Sequence, residues 1–586
     1  MTGSLVSSAH VRRKFLDYFA GNSHTVVPSS PVVPPDDPTL LFVNSGMVPF
    51  KRTFLGLETR SYTRATSSQK CVRVSGKHND LDEVGPSTRH NTFFEMLGNF
   101  SFGDYSKAEA IAFAFEFLTD VVGLDKDLLW PTIFETDDES SQLWQDITGI
   151  PESRITRLGK KDNFWTMGES GPCGPASEIV FDRGPDKCTC RRADCHLRHG
   201  DCDRWWEIWN LVFMNFDLSP DGTMRPLRRR SIDTGMGLER LTAVLQGADT
   251  VYETDVFVPI LETVRKIVGR TEQDGFEAGA VRAIADHSRA TAFIVADGVL
   301  PGNEGRGYVL RLLMRRAIRF GRAMGVERPF LGDVVEAVVQ AMGGYYTELL
   351  AKRDFLSEVV LREEQRFDQT LASGLGMFEN LVAEVKASGR RVIPGVDVFR
   401  LYDTFGFPHL LSRDVAREHG LEIDEAGFNE AMEAQRARAR GAVKAGQSEA
   451  SLIATGVECE ATQFVGYERI EADSRVLVLG AGGRLVEAAS AGESVEIVLD
   501  QTPFYAEGGG QVGDAGEIFG PFGRIRVTDT RRSRTDHSVH VGEVTDGVVN
   551  VGDLVHASVD VERRMDTARN HTATHVLHKV LRDMLG

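Results

Sequence analysis

Residues Gln69–Tyr105 read "QKCVRVSGKHNDLDEVGPSTRHNTFFEMLGNFSFGDY". The run places Arg73 and Lys77 ahead of a polar loop, which then returns through "RHNTFFE" with His90, Phe93 and Phe94. Neighbouring side chains of an extended segment point to opposite faces, so Phe94 and Phe93 belong to different faces of one strand. Two further stretches share this mixture of glycine, apolar and isolated charged residues. "DNFWTMGESGPCGPASEI" covers Asp162–Ile179, and "DTGMGLERLTAVL" covers Asp233–Leu245. The second is a Gly-rich turn running into a helix whose first turns carry Glu239 and Arg240.

Around these stretches the chain is long and ordinary in composition. At 586 residues it exceeds one core several times over. Its 41% apolar share is that of a globular protein. No apolar run approaches the ~20 residues that cross a bilayer, so no membrane association is expected. "MTGSLVSSAHVRRKFLDYF" lacks a signal-peptide core, and seven cysteines, an odd number, suit reduced thiols in a cytoplasmic setting. The formal charge of -18 excludes indiscriminate nucleic-acid coating and leaves room for a local basic patch.

The texture changes along the chain. Up to about residue 250, helical stretches such as "KAEAIAFAFEFLTDVV" mix with strand-like runs such as "TLLFVNS" and "WEIWNLVFMNF". Long helical periodicities dominate to about 445, ending in the charged "AMEAQRARARGAVKAGQSEAS", which reads as a helix fraying into a linker. Thereafter "SRVLVLGAGGRLVEA", "ESVEIVLD", "GRIRVTDT", "HSVHVGEV" and "DLVHASVD" alternate with period two between turns, as a small antiparallel barrel would.

The stretches "NTFFEMLGNFSFGDY", "IWNLVFM", "DTGMGLER", "DHSRATAFIVADGVLPGNEGRGYVLR" and "TPFYAEGGGQVGD" resemble those of the alanyl-tRNA synthetase family of class II aminoacyl-tRNA synthetases. The likeness runs along nearly the whole chain. It implies a multidomain α/β protein: an antiparallel-sheet catalytic domain over 1–250 and an all-α tRNA-recognition domain over 251–450. A small β-barrel over 451–562 and the start of an α+β editing domain over 563–586 follow. The implied activity is activation of alanine with ATP and Mg2+, followed by transfer to tRNA(Ala).

The resemblance also distributes roles. Activation crowds negative charge around the α-phosphorus, and planar guanidinium forks suit paired phosphate oxygens. Arg73, at the motif 2 position, would hold the α-phosphate and the amino-acid carboxylate, and Arg240, at the motif 3 position, the γ-phosphate of a bent ATP. Lys77 would add a point charge; His90, Phe94 under the adenine, and Gly235 complete the ATP set. Asp233 would pair with the substrate ammonium and Asn210 orient its carboxylate, while Trp165 and Val212 wall off larger side chains. Such a pocket rejects glycine or serine by only about 1–3 kcal/mol, so a second, hydrolytic site is needed.

Three features lie outside that core. Cys188, Cys190, Cys195 and Cys202 fall within "DKCTCRRADCHLRHGDCDRWW", and in a reducing compartment this spacing suits a structural zinc as well as a reduced surface loop. Six arginines from Arg306 to Arg322, including Arg311, Arg315 and Arg319 at helical spacing, suggest a face for RNA phosphates over the default of a solvated helix. By resemblance, Asn303 and Asp403 would read the acceptor-stem wobble pair of tRNA(Ala). Finally, His571 and His575 in "NHTATHVLH" stand one turn apart, as two ligands of a zinc would. Either His578 completes that site or the remaining ligands lie in family sequence beyond this chain, as the dimerising region does; a monomer is expected. Competing readings are a carrier-charging paralogue, a deacylase and a non-catalytic RNA-binding relative. The presence of Arg73, Asp233 and Arg240 disfavours the last.

Overall fold

Nine strands form one sheet: β1 (Thr25–Val26), β2 (Arg64–Val72), β3 (Phe93–Ser101), β4 (Leu129–Phe134), β5 (Thr156–Leu158), β6 (Phe164–Thr166), β7 (Gly171–Asp182), β8 (Trp205–Leu218) and β9 (Met224–Gly237). Of the longer ones, β2, β3, β7 and β8 are buried along most of their length. The computed structural model describes the chain apart from residues 1–5, 36, 38–39, 76–77, 169, 201, 220, 270–274, 406, 445–458, 483, 509, 534 and 586. The strand order is β1-β2-β3-β9-β8-β7-β4-β5, with β6 on β7. The pairings are antiparallel except β1–β2 and β4–β5 at the two margins. "TLLFVNS" departs from its strand-like reading. Its described part is a loop tied across β2, where Val72 N–H donates to the Val43 carbonyl at 2.8 Å.

Helices cover the sheet. α1 (Ser8–Gly21) is capped by Ser7, whose side chain accepts from the His10 amide. α2 (Leu238–Gln246) springs directly from the end of β9 and closes on Gly247 in the left-handed conformation, φ 66°. α3 (Gly275–Ala296) is buried along most of its length. Its Phe293 stacks on Phe93 with centroids 4.1 Å apart, and its Arg289 pairs with Glu239 of α2 at 2.6 Å. Phe93 and Phe94 thus serve opposite faces of β3, the first sealing α3 to the sheet. α4 (Gly305–Ala323), α5 (Leu331–Met342), α6 (Arg353–Ala387) and α7 (His409–Glu418) follow.

The contacts divide the chain into two compact units, Met1–Ile393 with Arg400–Ile423, and Pro394–Phe399 with Asp424–Gly586. The second holds a barrel of β10 (Glu471–Ala481), β11 (Ser494–Leu499), β12 (Gly516–Phe519), β13 (Gly523–Arg532), β14 (Ser538–Asn550) and β15 (Leu554–Val559). The ring β10-β11-β14-β13-β12-β15 closes because β15 pairs back onto β10. Val476, Leu479, Ile497, Leu499, Ile525 and Val544 fill it. The last helix, α8 (Val561–Leu585), is exposed over most of its length. No helix among the described residues is long and apolar enough to cross a membrane.

Candidate active site

Strand register assembles the site. On β8 and β9, Asn210 stands opposite Gly235 and Val212 opposite Asp233; on β7, Glu178 stands opposite Asn210. Period two puts Asn210, Val212, Asp233 and Gly235 on one face. That face floors a cleft of about 260 Å3, lined also by Arg73, Phe94, Trp165 and Arg240. Gly235 keeps the floor low, since a Cβ there would lie 2.7 Å from the Met96 sulfur.

The polar atoms in the cleft are poised for a ligand. Asp233 is buried, and burial pushes its carboxyl up to about 7. Its Oδ1 has no hydrogen-bond partner, and the same holds for Asn210 Oδ1 and Ser45 Oγ, both from lining residues. Buried polar atoms are normally paired, so three unmet ones around one cavity mark a place where something else binds. Arg73 donates from Nε to the Asn44 carbonyl at 3.0 Å and lies 5.1 Å from the Phe94 ring centre. Arg240 pairs with Glu207 at 3.1 Å and donates to the Arg89 carbonyl at 3.4 Å.

Sequence reasoning missed part of this lining: Asp80, Arg89, Asp162, Glu178 and Glu207. The signal was there for the glutamates, each a lone acid within an apolar strand, "ASEIVF" and "WEIWN". Glu178 is half-buried, and its carboxyl is held well above the usual carboxylate range, first by loss of solvation and then by Glu207 and Asp162. His90 does not line the cleft: Nδ1 lies 2.8 Å from Ser87 Oγ, and its carbonyl accepts from Tyr252 Oη at 2.8 Å. Lys77 lies outside the described residues.

Beside the cleft, the chain between β7 and β8 draws Cys188, Cys190, Cys195 and Cys202 together, with all four sulfurs within 4.8 Å of one another. Three of the separations are 3.5, 3.7 and 3.7 Å. A tetrahedral Zn–S4 centre with bonds of about 2.3 Å requires edges of about 3.8 Å, so the four thiols fit a zinc. The Cys202 thiol is lowered to about 6, because hydrogen bonds from the Arg204, Cys190 and Thr189 backbone outweigh burial. Next to it, Asp203 accepts from Thr88 Oγ1 at 2.6 Å and from Arg89 at 3.3 Å, tying this knuckle to the cleft rim.

The arginine row requires a correction. Arg311, Arg315, Arg316 and Arg319 are all buried, so the helix presents no arginine face to phosphates. Glu363 of α6 takes Arg311 at 3.1 Å and Arg315 at 2.7 Å, and Asp414 of α7 takes Arg316 at 2.8 Å. These guanidiniums neutralise interior carboxylates between packed helices. Asn303 and Asp403 are both exposed, and Asn303 accepts from Arg311.

On α8, His571 and His575 bring their Nε2 atoms to 3.0 Å. Two ligands of a tetrahedral zinc, with bonds of about 2.0–2.1 Å, stand about 3.3 Å apart, so the pair fits as half a site. Among the described residues no third ligand joins them, and His578 does not complete the set.

A family model described as tRNA synthetases class II (A) matches residues 10–563. The chain is similar to the alanine--tRNA ligase of Roseiflexus sp., at 51% identity over 588 residues, covering 99% of this chain and 64% of the relative. It is likewise similar to that of Chloroflexus aurantiacus, at 50% identity over 589 residues, 99% of this chain and 65% of the relative. The chain thus spans a little under two thirds of these curated relatives. Among solved structures, an apo histidyl-tRNA synthetase from S. aureus aligns over 42% of this chain and 70% of its own, at 11% identity and a TM-score of 0.26.

Proposed function

Because the chain belongs to the class II (A) tRNA synthetases, we propose that it activates alanine with ATP and transfers the alanyl group to tRNA(Ala). The observation that carries this reading is the buried Asp233 carboxylate, with one oxygen unmet, in a cleft that Arg73 and Arg240 also line. A buried carboxylate selects an ammonium, and two guanidiniums in the same cavity select phosphates.

Alanine enters with its ammonium on Asp233 and its methyl against Val212 and Trp165, while Asn210 orients the carboxylate. A carboxylate oxygen then attacks the α-phosphorus; the bond to the bridging oxygen breaks, and pyrophosphate leaves with the electron pair. Arg73 and Arg240 hold the phosphates in line and meet the charge that develops. Phe94, which lines the cleft beside Arg73, supplies a flat apolar seat for adenine. Glu178 and Glu207 would hold Mg2+, which neutralises phosphate charge; the like-charge strain on Glu178 fits a cation there. In the second half-reaction the tRNA terminal hydroxyl attacks the acyl carbon and releases AMP.

On this reading residues 1–250 activate alanine, 251–450 recognise tRNA through Asn303 and Asp403, and 451–586 begin an editing region in which His571 and His575 are zinc ligands. Cys188, Cys190, Cys195 and Cys202 hold a structural zinc. The test is alanine-dependent ATP–pyrophosphate exchange without tRNA. Exchange is expected in the wild type and its loss in Asp233→Ala and Arg240→Ala; exchange specific for another amino acid overturns the reading.

A further inference from the structure

The segment 80–87 returns from the Arg73 strand to β3, and its inner end faces the cleft: Asp80 lines the cavity, and its N–H donates to the Arg73 carbonyl at 3.3 Å. Its outer side is gripped by helices remote in sequence. Arg316 of α4 donates to the Leu81 carbonyl at 2.6 Å, and Arg413 of α7 donates to Asp82 Oδ1 at 2.5 Å. Arg417, one turn further along α7, lies 3.7 Å from the same carboxylate. Asp414 between them pairs with Arg316, so α4 and α7 close on the segment together. On a third side Gly85, at φ +104°, sits so close to α3 that a Cβ would lie 2.8 Å from the Gly279 carbonyl.

The Asp82 and Arg413 side chains keep 34% and 17% of their exposure, and a partly exposed pair of this kind contributes modestly to global stability. What the pair does control is local: it fixes where the segment sits, and with it Asp80 and the backbone that carries Arg73. We propose that Asp82 and Arg413 are positioning residues for the nucleotide side of the cleft, holding the Asp80–Arg73 wall in its ATP-binding placement from the helical layer. The inference rests on the ATP-dependent activation proposed above, and the alanine side, built on β8 and β9, is independent of it.

Asp82→Asn and Arg413→Gln in the full chain separate these roles. Hydrogen exchange of amides 80–87 should accelerate in both variants while β8 and β9 stay protected. The KM for ATP in pyrophosphate exchange should rise about fivefold, the loss of one partly exposed pair, with the KM for alanine unchanged. The exchanged pair, Asp82→Arg with Arg413→Asp, should recover both readouts. Unaltered hydrogen exchange over 80–87 in Asp82→Asn, an unaltered ATP KM despite faster exchange, or an equal rise in both KM values overturns the proposal. Absence of alanine-dependent exchange in the wild type overturns the catalytic reading instead, and hydrogen exchange over 80–87 then still decides the clamp.

Discussion

Val212 and Asp233 are register partners across β8 and β9. Opposed residues of an antiparallel pair keep their Cβ atoms about 4.5–5.5 Å apart on the same face. The Val212 side chain and the Asp233 carboxylate are therefore spaced by the backbone hydrogen bonds of the sheet. For the alanine pocket proposed above such fixed spacing matters most, since an error of one methylene would be its whole margin.

The Asp233 carboxyl is pushed up to about 7, so alanine affinity should depend on pH. The ionised form pairs with the ammonium. The KM for alanine should therefore climb below pH 7, approaching about tenfold per unit, and level off above it. Asp233→Asn should abolish that dependence. For stability the sign is opposite: a folded-state value raised from about 3.9 favours the protonated protein, and this contribution is lost as pH rises through 7. Alanine should consequently raise Tm more at pH 8 than at pH 6. Equal shifts at both would remove Asp233 from the ammonium site.

Val212→Ala removes two methyl groups from the wall and so enlarges the pocket. Discrimination against 2-aminobutyrate, read as a ratio of kcat/KM values in pyrophosphate exchange, should fall at least about tenfold. An unchanged ratio would mean that Val212 is core packing only.

Arg315→Ala takes from the buried Glu363 the nearer of two guanidiniums, leaving Arg311 at 3.1 Å. Loss of a hydrogen bond to a charged group costs about 1.5–3 kcal/mol, so urea unfolding should shift downward and every activity with it. A variant of wild-type stability with weakened tRNA binding alone would restore the RNA-contact expectation for this helix.

Metal analysis of the chain purified without chelator should find one zinc held by the cysteine knuckle, and Cys202→Ala should lose it. Because Asp203 braces Thr88 and Arg89, removal should also raise the ATP KM more than the alanine KM. A zinc-free wild type of undiminished stability would leave four reduced thiols and nothing more.

The sheet, the barrel and most of the cleft were legible because their signals are local. Period-two alternation marks the barrel strands, apolar runs such as "WEIWNLVFMNF" mark the sheet, and "DTGMGLER" carries Asp233, Gly235 and Arg240 in one contiguous stretch. The arginine row misled for a physical reason. Helical spacing states which residues share a face, and whether that face is covered depends on Glu363, 48 residues away from Arg315. Glu178 and Glu207 escaped notice similarly, because their importance comes from meeting across paired strands. His90 sits beside the right residues in sequence, but its ring turns to Ser87.

Turning those arginines inward also shapes how fast a partner arrives. The chain carries a formal charge of -18, and the cations that could have offset it locally are enclosed with their own carboxylates. A polyanion approaching from bulk solvent meets a repulsive long-range field, the opposite of electrostatic steering. Its encounter rate should be low in dilute buffer and rise with moderate salt, as the Debye length shrinks below the reach of that field. If the polyanion is the tRNA of the proposed reaction, its docking would then depend on short-range fit at the surface rather than on capture from a distance.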